Sequence, residues 1–98
     1  MKHARRIVLL PLMLSAVMVQ AQASLPHDVA RFIERRDLCD HFRGEEPYDA
    51  ERRDFLAKRM REYCTGTDAQ LAALKNKYKS RPEVITRLSG YESKVEAP

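Results

Sequence analysis

From Pro26 to Leu88, apolar residues recur every three or four positions, and Gly44, Gly66 and Pro82 break the pattern. That period places them on one face of successive helices. The first predicted helix runs from about Pro26 to Phe42. Val29, Phe32, Ile33, Cys39 and Phe42 lie on its inner face, and Arg36 is the exception there. Pro26 suits a first turn, and Gly44 is a natural left-handed C-terminal stop. The second helix runs from about Asp49 or Ala50 to Cys64, with Asp49 as its cap. Phe55, Leu56, Met60 and Tyr63 form its stripe, and Asp54 with Lys58 makes an i,i+4 ion pair. Thr67-Asp68-Ala69-Gln70 reads as a capping box opening a third helix to about Lys79, with Leu71, Leu74 and Tyr78 inward. Ser80-Arg81-Pro82-Glu83 repeats the device before a short fourth helix to Leu88, with Val84, Ile85 and Leu88 inward. Residues 92–98 read as a frayed tail. No strand is predicted. The expected fold is all-α, a small bundle of about four short helices.

The first 23 residues have a different pattern. Lys2, Arg5 and Arg6 precede a mainly apolar run from Ile7 to Val19, and Ala21-Gln22-Ala23 is an A-x-A cleavage signal. The run is short of the ~20 residues a spanning helix requires. Residues 1–23 are therefore read as a cleavable signal peptide, and residues 24–98 as a single small helical domain. The expected address is periplasmic or secreted, with no membrane span after cleavage.

Cleavage changes the charge. The chain has 18 Lys+Arg against 14 Asp+Glu, and the leader holds Lys2, Arg5 and Arg6 but no acid. The remainder is close to neutral, which removes the main support for nucleic-acid binding. So short a domain gains limited stability from its core, and export exposes Cys39 and Cys64 to oxidation. An intramolecular Cys39–Cys64 disulfide is expected; intermolecular pairing and two free thiols are the alternatives. A plain hairpin of the first two helices leaves Cys64 about 22 Å from the start of its helix, too far from Cys39 to be bridged. Either residues 44–49 are extended and let the second helix return to Cys39, or the helices cross at a wide angle. Glu45-Glu46-Pro47 favours the extended arm.

The segments CDHFRGEEPYD, RRDFL and CTGTDAQLAALKNKYK, with a final YE, resemble a group of uncharacterised small secreted proteobacterial proteins. The CDHFRGE and C-x-GTD segments carry the resemblance most specifically. It implies an exported helical protein with both cysteines, and brings no activity or substrate.

The candidate chemistry is sparse. Cys39 and His41 are two apart and diverge on a helix, so they make neither a chelate nor a nucleophile–base pair. Asp37 and His41 share a face, and with Asp40 and the glutamates they form the alternative metal set. Zinc requires three or four converging ligands, so no metal and no cofactor is the preferred expectation. Glu45 and Glu46 mimic the carboxylate pair of a cell-wall-acting enzyme, the third reading, but a chain this short offers little material for a cleft. Arg43, Glu45, Glu46 and Tyr48 form a candidate recognition surface, with Arg43 expected to pair with one of those acids or to cap the first helix. Lys75, Lys77, Lys79 and Arg81 form a candidate basic contact face. The leading expectation is a non-catalytic interaction module whose partner is an unknown protein or envelope component. A periplasmic metal-binding protein comes second.

Overall fold

The computed structural model describes residues 25–96; the expected leader, its cleavage site, and residues 97–98 lie outside them. Four helices follow in order: α1 His27–Arg43, α2 Ala50–Cys64, α3 Thr67–Lys77 and α4 Pro82–Leu88. No strand occurs among the described residues. Nor is any helix among them long and apolar enough to cross a membrane.

The periodic apolar positions of α1, α3 and α4 make the core. Val29 and Phe32 meet Leu71, Leu74, Val84 and Leu88, with Leu25, Ile33, Tyr78 and Tyr91 packed around them. Each large side chain so buried contributes roughly 1.5–3 kcal/mol. The second helix stands outside this cluster and buries only Leu56 and Cys64. Its predicted stripe is therefore only partly inward: Phe55 remains 41% exposed, and Tyr63 stacks on Phe42 with ring centroids 5.9 Å apart. The Cys39–Cys64 disulfide, Cα atoms 4.9 Å apart, ties α2 to α1.

The connection explains how that bond closes. Residues 45–49 have no regular structure, and Asp49 is fully extended at φ −157°, ψ 177°. A stretch of this length covers most of the ~21 Å that α2 then retraces toward Cys39. Asp49 caps α2 as expected, its carboxylate accepting the Arg52 N–H at 2.8 Å.

Several local expectations are corrected. Pro26 is the residue before α1 and not its first turn. Gly44 has φ −83°, an ordinary right-handed value, and the left-handed glycine is Gly66 at φ 86°. Asp54 and Lys58 form no ion pair; on that helix Arg59 meets Glu62 at 3.0 Å. α3 ends at Lys77, two residues early. Neither expected capping box forms. Thr67 is buried inside the first turn of α3, and its hydroxyl donates to the Cys64 carbonyl at 2.8 Å. The residue before α4 is Arg81, without a side-chain cap.

The cap of α3 comes instead from the C-terminal segment. The two Glu96 carboxylate oxygens accept the N–H groups of Gly66 (3.0 Å) and Asp68 (2.9 Å). Asp68 reciprocates, accepting the N–H groups of Val95 at 2.9 Å and Glu96 at 3.1 Å. Residues 92–96, expected to fray, are thus a strap across the bundle. The fully buried Arg36 fastens its start, with Nη2 donating to the Glu92 carbonyl at 2.6 Å and Nε to Asp40 at 3.2 Å.

Candidate functional site

The arm between α1 and α2 carries the most exposed aromatic residue noted in the fold. Tyr48 is 79% exposed. It borders a small cleft of about 250 Å³ shared with Asp49, Glu51, Arg52 and Phe55. The walls are braced from the sequence upward. Pro47 stiffens the arm, Asp49 starts the helix, and one turn later Arg52 forks onto Glu45 through Nε at 2.6 Å and Nη2 at 2.8 Å. The Arg52 hydrogen bond, against a smaller cost of burial, holds the Glu45 carboxyl below its usual range, and Glu45 raises Arg52 in return. The same guanidinium lies 4.6 Å from the Phe55 ring centroid, and Arg59 approaches that ring at 5.5 Å. An aromatic ring flanked by arginines is a common composition at protein-binding hot spots.

The four expected recognition residues do not form one patch. Glu45 and Tyr48 flank the arm, and Glu46 is exposed without an ion pair among the described residues. Arg43 pairs with neither glutamate. It points the other way, to Asp40 at 3.1 Å and Glu92 at 3.6 Å. There it borders a second, larger groove of about 590 Å³ between α2 and the strap, over Ala57, Met60, Cys64 and Val95.

The alternative metal set is also dispersed. Asp37 accepts the Tyr91 hydroxyl at 2.7 Å. Burial, then this bond, raises the Tyr91 hydroxyl above its ordinary range. Asp40 faces Arg36 and Arg43, while His41 is exposed edge-on to Phe42. Among the described residues, no three His, Cys, Asp or Glu side chains gather for a metal.

The basic run is half neutralised. Lys77 donates to Asp28 at 2.7 Å, and Arg81 meets Glu83 at 2.7 Å. Lys75 and Lys79 have no ion-pair partner among the described residues. Asp28 also accepts the Tyr78 hydroxyl at 2.8 Å. Its bonds to Lys77 and then Tyr78 hold its pKa down to about 2. Lys77 and Tyr78 thus tie the end of α3 to the start of α1, and Lys75 and Lys79 are left as the unpaired cations of the run.

Sequence reasoning missed Arg52 as the brace of the arm. Its signal was present, seven positions after Glu45 and three after the capping Asp49, but the arm's fold-back had to be known to use it. No family model matches the chain, and no curated protein and no solved structure does so either.

Proposed function

We propose that this chain is an exported, non-catalytic interaction module that binds a partner protein of the cell envelope through the arm and the start of α2. The observation that carries this reading is Tyr48, 79% exposed beside Phe55 on walls fixed by the Glu45–Arg52 fork. Leaving a large aromatic side chain in water forgoes its burial energy, and bracing the loop beneath it lowers the ordering cost of binding. Export to the periplasm or beyond is supported by the leader-like first 23 residues, by the resemblance to small secreted proteobacterial proteins, and by a disulfide, which persists in oxidising compartments.

Site-specific photo-crosslinking in the native host tests the binding reading. A benzophenone side chain at Tyr48 is expected to give one discrete adduct, which Phe55→Ala diminishes and a probe at Glu34 does not reproduce. The same adducts from both positions, or none from Tyr48, would sink it. Mass measurement of the host-purified chain is expected to place its first residue at Ser24.

A further inference from the structure

We propose that the groove between α2 and the strap binds a single-chain amphiphile with a carboxylate head, of the fatty-acid class. This site is separate from the Tyr48 cleft and stands independently of it. The groove's volume of about 590 Å³ falls within the roughly 300–1,000 Å³ of small-molecule sites. Its floor is Ala57, Met60, Val95 and the Cys64 end of the disulfide. The thioether of Met60 adapts to flexible apolar chains.

Charge selects the head group. Arg61 lies on the edge with no acid at ion-pair distance among the described residues. Arg43 stands at the edge as well, but its charge is met by Asp40 and Glu92. The one lining acid, Glu96, has both oxygens occupied by the N–H groups of Gly66 and Asp68. An apolar floor with one unpaired arginine at its edge fits a hydrocarbon chain ending in a carboxylate, with Arg61 as its partner.

The backbone argues against a peptide here. The N–H groups of Val95 and Glu96 are held by Asp68, and α2 satisfies its own ladder. An extended peptide would find few main-chain partners on these walls, and its own amide groups would be left unpaired at a cost. A hydrocarbon chain has no such groups. The strap wall is also fixed in advance by its reciprocal bonds to Asp68, which lowers the cost of binding.

Methyl NMR of the disulfide-bonded protein tests the site, with decanoate below its micellar concentration as probe. Decyltrimethylammonium, equal in chain length and opposite in charge, is the control. Decanoate is expected to shift the Met60 and Val95 methyl signals saturably, at least about tenfold more tightly than the cation. Arg61→Glu is expected to weaken decanoate about tenfold with an unchanged melting curve, since only the Arg61 backbone carbonyl, bonded by Thr65, serves the fold. Equal affinity for both amphiphiles, non-saturating shifts, or an Arg61→Glu affinity like that of the parent would overturn the proposal. Met60 shifts that follow protein concentration alone, without a decanoate effect, would put a second copy in the groove and overturn it too.

Discussion

Gly66 and Gly44 show how much a single backbone angle decides. Both end helices, and from sequence Gly44 was the natural left-handed stop. The chain uses the left-handed conformation at Gly66, φ 86°, where α2 turns sharply into α3. A Cβ there meets no neighbouring atom within 4 Å, so the strain of Gly66→Ala is purely conformational. It is expected to cost about 1–2 kcal/mol. Gly44→Ala, at an angle any residue adopts, is expected to be neutral or stabilising by up to about 1 kcal/mol. Urea titration of both variants checks the pair, and equal losses would contradict these angles. Asp28 supplies a second residue-scale test. Its folded pKa, about 2, is below the ordinary 3.8 because Lys77 and Tyr78 favour the carboxylate. Its contribution is therefore complete above pH 4 and disappears as pH falls toward 2. Asp28→Asn is expected to be less stable than the parent at pH 6 and to converge with it near pH 2 in thermal melts. A constant difference across that range would show that the bond to Lys77 is not the cause.

At the scale of elements, the helices were legible because their apolar period is plain: Val29, Phe32, Leu71, Leu74, Val84 and Leu88 were all read inward and all form the core. The caps were less legible. Thr67 fits a local capping rule, yet the donors at the start of α3 are satisfied by Glu96, 28 residues beyond Asp68, and no local pattern announces a cap from so far along the chain. Arg36 was visible only as an exception on the inner face of α1. Burying it requires partners from α1 itself and from the strap, which tertiary structure alone brings together. Asp68 sits between these parts. Burial opposes its charge, but the Val95 and Glu96 N–H groups, helped by Arg36, outweigh it and hold its carboxyl below the usual range. Glu96→Ala is expected to cost about 1 kcal/mol, the usual loss for an N-terminal cap, and to speed amide exchange at Asp68 and Val95. Unchanged exchange at both amides would mean the strap is held elsewhere.

For the whole molecule, the deciding fact is that α2 hardly belongs to the core. It contributes Leu56 and Cys64 to the buried set, and it is tied to α1 by the disulfide, by Phe42 packed against Phe55 and Tyr63, and by the Arg35 guanidinium, which donates to the Glu62 carbonyl at 3.4 Å and the Thr65 carbonyl at 2.6 Å. Yet both candidate binding surfaces use α2, one at its start and one along the face it turns to the strap. The disulfide thus fixes the geometry of both while the other three helices carry the core. Closing a loop with a sequence separation of 25 is worth about 3.5 kcal/mol in the chain-entropy model. A domain of this size has only about 4–11 kcal/mol in total. Cys39→Ala is therefore expected to lower Tm by well over 10 °C under oxidising conditions. Reductant should erase the difference from the parent. Because the core of α1, α3 and α4 does not include α2, amide exchange in the variant should rise first along residues 50–64 and last around Phe32 and Leu71. Uniform exchange across all four helices would show instead that α2 unfolds only with the core, and that the bridge stabilises one cooperative unit.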